Sequence, residues 1–365
     1  LKGQGNKSCL RNSLISAFSE ICGANCSSNL YKIVPMYQLC HTIIFIISRT
    51  KMESQLMHII KREWSFIMSL NCLISSVLLD ALVKISIARF YFRFQDTILF
   101  ISFGVLIVAS LLFRKFRTSS EKRLTISQVI NCIWPAFLIY ISFYLRLYHA
   151  RYDARYFQAF RIASFYAPIF TLTLKKFILW HEISFVEICL AIYVLFCGIL
   201  ANYGIFSLLS LRHYAVSIIY CTANSICFAW AESIKRQPSQ DKSDVFCALC
   251  ICLFILSYFG FMLNENLTNV ISYLTFNINH AFLYLVYCIL FLIIAWFIFI
   301  TFYSCCSQSA FTTTIILAGV PSVQLWLSFL APMEYALIDA WPSKLNIFAH
   351  LFQLFGITTY FQYCK

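Results

Sequence analysis

The sequence predicts an all-α membrane protein of ten transmembrane helices, arranged as a 5+5 inverted repeat. Three observations predict it. First, the 365 residues are 61% hydrophobic and only 12% charged, with a mean hydropathy of +0.76. A soluble domain is about 45–50% apolar and about 25% charged. With half the usual charge the chain cannot cover a water-facing surface, which excludes a soluble enzyme and a disordered tail. Second, the apolar stretches are long, continuous and free of strand alternation, so the spanning elements are helices rather than barrel strands. Third, their number is even and divides into two sets of five. An odd count per half inserts the second half upside down and leaves a site between the halves near mid-membrane.

The runs of spanning length fall at about 65–86, 97–113, 128–147, 157–179, 184–203, 213–231, 245–263, 281–303, 310–331 and 345–363. Each is near the roughly 20 residues that a bilayer requires. The loops between them are short. Residues 52–365 therefore read as one ten-helix domain with halves at about 65–203 and 213–363, leaving no room for a separate soluble domain. The runs 157–179 and 310–331 occupy equivalent fourth places in the two halves, and each is rich in hydroxyl or charged residues. Met52 opens MESQLMHIIKREWSFIMSL, which reads as a natural start. Residues 1–51 are accordingly expected to be a poorly structured N-terminal extension of upstream or fragment sequence. Within it, Ile33–Ser48 is short for a span and reads either as an extra span or as a signal-like segment.

Charge orients the helices. With the Met52 end in the cytosol, that side receives Lys61, Arg62, Arg114, Lys115, Arg117, Lys122, Arg123, Lys175, Lys176, Lys235, Arg236, Lys242 and Lys365. The opposite side receives Arg89, Arg93, Arg146, Arg151, Arg155, Arg212 and Lys344. The excess favours both ends in the cytosol. The sequon Asn266-Leu267-Thr268 then falls on the lumenal side, which makes Asn266 a glycosylation candidate. The net charge of +13 comes from short clusters between apolar runs and not from a basic stripe, so no nucleic-acid partner is expected. The 17 cysteines lie mostly within apolar runs, where Cys packs as a small hydrophobe. Cys247, Cys250 and Cys252 resemble a metal spacing but have no nearby His, and no metal is expected.

Ionisable groups at membrane depth are costly and are functional suspects by default. Asp80 and Lys84 sit four apart in the first run, on one helix face, and can neutralise each other. Arg161 lies inside the fourth run, where its guanidinium either snorkels to the interface or turns into a cavity and forks onto a phosphate. Ser307–Thr314, opening the ninth run, is the most polar membrane stretch. Its consecutive Thr312, Thr313 and Thr314 face three directions, so at least one points into the bundle. Gly319 and Pro321 are expected to break or bend that helix. Thr222 and Asn224 put a hydroxyl and an amide in the sixth run, as helix–helix bonds or as ligand contacts. No metal, acid–base, P-loop or dinucleotide constellation is present, so neither an enzyme, a cofactor nor ATP drive is indicated.

These residues resemble the nucleotide-sugar transporters of the drug/metabolite transporter superfamily, in the branch that carries UDP-sugars and GDP-mannose. Cys306-Ser307-Gln308-Ser309-Ala310-Phe311-Thr312-Thr313-Thr314-Ile315 is similar to that branch's C-T-x-x-N-S-A-L-T-T-T-I segment, shortened by a residue or two. Phe157-Gln158-Ala159-Phe160-Arg161 resembles its F-x-x-L-R-R segment, and Thr222-Ala223-Asn224 its T-A-x-N stretch. The order is preserved across about residues 65–363. Departures are Ile162 at the second arginine and Val320-Pro321 near the family's Lys-Asn pair. The resemblance implies ten helices and cytosolic termini in a multi-pass Golgi membrane protein, with the endoplasmic reticulum as the alternative. It also implies exchange of a cytosolic nucleotide sugar for a lumenal nucleoside monophosphate by alternating access, and it leaves a homodimer open. On it, Arg161 would hold phosphate, Asn224 and Thr312–Thr314 would bond sugar or ribose, and Lys84 would be a secondary cation. The competing expectation is a divergent carrier of another small metabolite, or a non-transporting membrane scaffold.

Overall fold

The structure is a computed structural model that describes residues 64–89, 92–117, 124–152, 155–235, 241–276, 281–330 and 343–363. The expectation for residues 1–51 lies outside them. Among the described residues there is no strand. The first helix, α1, covers residues 64–83 and continues as a π-helical stretch, Lys84–Arg89. Then come α2 (Gln95–Arg117), α3 (Ile126–Tyr152), α4 (Arg155–Leu179) and α5 (Phe185–Ala201). After a short 3-10 turn, Phe206–Leu208, follow α6 (Leu211–Ile234), α7 (Lys242–Asn264), the short α8 (Leu267–Phe276) and α9 (Ala281–Ser307). The chain ends with α10 (Ala310–Ala318), α11 (Val320–Leu330) and α12 (Lys344–Tyr363).

Seven of the described helices are long and apolar enough to cross a membrane: those beginning at Trp64, Gln95, Ile126, Leu211, Lys242, Phe282 and Ala310. The last of these counts α10 and α11 together. This is a helical membrane protein. The expected runs at 157–179, 184–203 and 345–363 are helical too, as α4, α5 and α12, but they fall below that combined measure of length and apolarity. The physical reasons differ. At 25 residues α4 is long enough, but it carries Arg155, Arg161, Lys175 and Lys176. In contrast α5 is apolar but has only 17 residues, and α12 is interrupted by Asn346, His350 and Gln353.

Local chemistry sets the ends. Asp241 caps α7 by accepting from the Ser243 amide at 3.0 Å. One turn on, Asp244 pairs with Arg114 near the end of α2 at 2.8 Å, fixing those two helices antiparallel. Ser184 and Glu187 form a capping box on α5, and Glu187 also holds Lys175 of α4 at 3.2 Å. Glu265, just past α7, accepts from the Asp96 and Thr97 amides, each at 2.8 Å, and so covers the start of α2. Burial raises the Glu265 carboxyl above the ordinary carboxylate value, while the Thr97 hydroxyl and the two amides pull it back.

Several contacts within and between residues 64–201 (the first stretch of chain) and residues 211–363 (the second) recur in matched form. Helix α2 lies on α7, α4 on α10, and α5 on α12. The contact of α3 with α7 is matched by that of α9 with α2, and the contact of α4 with α5 by that of α11 with α12. The largest apolar core joins α2, α3, α7 and α9 around Phe103, Leu147, Phe246 and Leu290. A second joins α4, α5, α10 and α12 around Phe165, Val194, Phe311 and Ile357. Large apolar side chains also face outward, among them Phe66, Trp134, Phe196, Phe259 and Phe355, as lipid contact requires.

The ninth run breaks where Gly319 and Pro321 stand, separating α10 from α11 at Gly319. The bond that the Ala318 carbonyl would make to the next turn is replaced by Gln353 of α12, whose Nε2 donates to it at 2.8 Å. Ser322, two residues past the break's other end, donates to Gln353 Oε1 at 2.7 Å and contacts His350 Nδ1 at 2.8 Å. A break buried from water is thus satisfied by side chains of a neighbouring helix.

Candidate functional site

A two-lobed cavity runs between elements of both stretches of chain. Its charged lobe is lined by Asp80 and Ser76 of α1, Lys84, Arg146 of α3, Phe157, Phe160 and Arg161 of α4, Tyr220 of α6, Phe297 of α9 and Gln324 of α11, among others. The second lobe adds Ser142, Phe143, Asn224, Phe228 and Thr314. Arg146, Ser164, Tyr220, Phe297 and Leu317 belong to both lobes. Both lobes carry aromatic side chains, Phe157 and Phe160 in the first and Phe143 and Phe228 in the second; Asp80, Lys84 and Arg161 line only the first, and Asn224 and Thr314 only the second.

Two proline residues shape the wall. Pro168 of α4 removes the amide that would bond the Ser164 carbonyl, and Pro321 does the same for Leu317. Ser164 and Leu317 both line the two lobes. Lys84 opens the π-helical stretch, an irregularity that re-aims side chains and recurs at functional sites.

Of the sequence-predicted site residues, the structure brings Lys84, Arg161, Asn224 and Thr314 to this cavity. Thr312 and Thr313 do not line it. Thr313 is fully buried, with its hydroxyl donating to the Ser309 carbonyl at 3.0 Å and meeting Ser304 Oγ at 3.0 Å. Thr312 instead serves the helix start, where its amide donates to the Ser309 cap at 3.0 Å. These two hydroxyls build α10 rather than the cavity wall. Asn266 is exposed between α7 and α8, with its Oδ1 accepting from the Thr268 amide at 2.9 Å.

Sequence reasoning missed Arg146 by assigning it to the charged interface. It lies inside α3, is 6% exposed, and forms an ion pair with Asp80. Asp80 also accepts from Gln324 Nε2 at 2.6 Å, and Arg146 Nη1 reaches Tyr220 Oη at 3.5 Å. The partner seen for Asp80 is thus Arg146 from another helix, in addition to its sequence neighbour Lys84 lining the same lobe. The available signal was that residue 146 lies at the edge of an apolar run, whose helix continues to Tyr152. Among the described lining residues there are three cations (Lys84, Arg146, Arg161) and one carboxylate (Asp80). The lobe is therefore electropositive and suits an anion with more than one negative charge.

At the other end of the bundle Gln308 joins the α9–α10 junction to α1, and cations and a carboxylate of the second half bind the backbone around it. Gln308 Nε2 donates to the Ser65 carbonyl at 2.6 Å and to Ser69 Oγ at 3.0 Å. Lys235 Nζ donates to the Ser307 and Gln308 carbonyls at 3.1 and 3.0 Å, and Lys242 Nζ to the Cys306 carbonyl at 3.3 Å, so both cations sit at the C-terminus of α9. The buried Glu232 accepts from the Ala310 amide at 2.8 Å at the N-terminus of α10. Glu232→Ala is expected to cost about 1 kcal/mol, as loss of a helix cap does. A lowered melting temperature of the purified protein measures it, and an unchanged one contradicts the assignment.

No protein-family profile matches the chain, and no curated protein matches it. Solved structures do. One, described as "Crystal structure of protein", superposes over 81% of this chain and 96% of its own length with a TM-score of 0.55, at 10% identity. At that identity the likeness concerns the fold.

Proposed function

We propose that the chain is a nucleotide-sugar antiporter of the Golgi membrane, built from ten helices as a 5+5 inverted repeat and working by alternating access. It would exchange a cytosolic UDP-sugar or GDP-mannose for a lumenal nucleoside monophosphate. The observation that carries the reading is the two-lobed cavity, lined from both halves of the chain by three cations and, in each lobe, by aromatic side chains. A nucleotide calls for both. Its phosphates need charge-assisted donors, and its base needs flat apolar surface. In this reading Arg146 and Arg161 hold phosphate, Lys84 adds charge, and Asn224 and Thr314 bond base, ribose or sugar. The matched helix contacts support the two-fold arrangement. The bonds from Gln308 to Ser65 and Ser69, which join the two halves, support a contact closing the side that on the charge bias faces the cytosol.

Thermal stabilisation tests the ligand class directly, because a compound bound only by the folded protein raises its melting temperature. UMP or GMP, and the matching nucleotide sugar, are expected to raise it, by about 2.7 kcal/mol of added stability at a hundred times Kd. A shift by an unrelated anion or amine with none by any nucleotide would replace this reading by a carrier of another metabolite. The orientation is tested separately. Asn266 is expected to carry a glycan in cells, and Asn266→Gln to abolish the corresponding gel shift.

A further inference from the structure

Asp80 presents a physical problem. A carboxylate inside a cavity meant for an anion repels the ligand, and it faces Arg146, the most deeply placed of the three cations. Gln324 fixes Asp80 at 2.6 Å, so the carboxylate is held by both stretches of chain and is not a stray side chain. The Asp80 and Arg146 side chains are 16% and 7% exposed. A guanidinium that buried, left alone, would cost several kcal/mol, and a facing carboxylate offsets that cost.

We propose that Asp80 is an internal counter-anion: it occupies Arg146 while the cavity is empty and yields that guanidinium to a phosphate group of the entering ligand. The inference rests on the anion-carrier reading above and names the regulation of that same site. The argument is one of competition. Arg146 offers one planar fork, which pairs with either a carboxylate or a phosphate in the same geometry. The ligand therefore binds only to the fraction of molecules in which Arg146 has turned away from Asp80, and its apparent affinity is lowered by that fraction. Asp80 keeps its hydrogen bond from Gln324 after release, and Lys84 lies in the same lobe, one helical turn along the chain, to balance its charge. The exchange of partners has a consequence for transport. A cavity that returns empty pairs Arg146 with Asp80 and one that returns loaded pairs it with the ligand, so the two states differ in internal ion pairing.

The test uses inorganic pyrophosphate as the probe and the full chain in lipid nanodiscs, with affinity read from thermal stabilisation. Asp80→Asn removes the competitor and is expected to bind pyrophosphate at least about tenfold more tightly than wild type. Equal or weaker binding overturns the proposal. If Asp80→Asn does not yield folded protein, the double variant Asp80→Asn/Arg146→Gln, which leaves neither charge unpaired, decides the matter. It is expected to bind pyrophosphate at least about tenfold more weakly than wild type, since the contested cation is gone. Wild-type affinity in the double variant would make the pair purely structural and overturn the proposal. The functional reading fails independently of this. Tighter pyrophosphate binding by Asp80→Asn without any exchange of nucleotide sugar supports the counter-anion and removes the nucleotide-sugar assignment. Intact exchange with unchanged pyrophosphate binding does the reverse.

Discussion

Arg146→Ala is expected to abolish uptake and to lower stability by about 1.5–3 kcal/mol. The two effects have separate origins. Uptake fails because Arg146 belongs to both lobes of the cavity, so its loss removes the one cation that they share. Stability falls because the mostly buried Asp80 loses its guanidinium partner and keeps only the Gln324 amide and the charge of Lys84 in the same lobe. Adding Asp80→Asn to Arg146→Ala is therefore expected to restore most of the melting temperature without restoring uptake. Melting curves and uptake assays on the single and double variants separate the two effects. An Arg146→Ala protein that melts and transports like wild type would show that the cavity does not depend on this residue.

Gly198→Val is expected to destabilise the protein by about 1–3 kcal/mol and to slow transport. A side chain at Gly198 of α5 would collide with the ring of Phe165 in α4, which is 1% exposed and sits at the centre of the second apolar core. Phe165 adjoins Ser164 and lies one helical turn from Arg161, both of which line the cavity. Moving its ring shifts the helix that carries them, because a close-packed interior passes strain on to its neighbours. Gly356 of α12 stands in the same relation to the Tyr193 ring of α5. Gly204, with open space around it, is the control: Gly204→Ala should stay within about 0.5 kcal/mol of wild type. Melting temperatures of the three proteins check the ordering, and equal values for Gly198→Val and Gly204→Ala would contradict it.

The chain's helical, membrane-spanning character was legible because lipid leaves few choices: a backbone in hydrocarbon must satisfy its own hydrogen bonds, and long apolar runs record that. The break at Gly319 was legible for a similar local reason, since glycine and proline in a hydroxyl-rich run signal it before any neighbour is known. The cavity was only half legible. Arg161 and Lys84 stood out as charges inside apolar runs, and both line the charged lobe. Arg146 did not stand out, because a cation at the edge of a run looks like an interfacial anchor until the helix is seen to extend beyond it. Its pairing with Asp80, and that of Asp80 with Gln324, join residues far apart in sequence, which no local pattern records. The threonine trio misled for the opposite reason. Consecutive hydroxyls attract notice, yet Thr312 and Thr313 use theirs at the capped start of α10, and only Thr314 reaches the cavity.

The count of ten crossings turns on α4, α5 and α12, where charge, shortness or polar side chains weaken the apolar signal. Those same helices carry Arg161 and Phe165, the collision point at Gly198, and the Gln353 amide that satisfies the broken ninth run. Of these three helices α4 lines the cavity, and the charges that weaken its span signal include Arg161, which lies in the charged lobe.

Exchange in proteoliposomes tests the central claim most directly. Vesicles preloaded with UMP or GMP should accumulate the matching labelled nucleotide sugar when they contain the wild-type chain, empty vesicles should not, and Arg161→Ala should reduce the accumulation at least about tenfold. Failure of every nucleotide sugar to exchange across the panel, or full exchange by Arg161→Ala, would contradict the account.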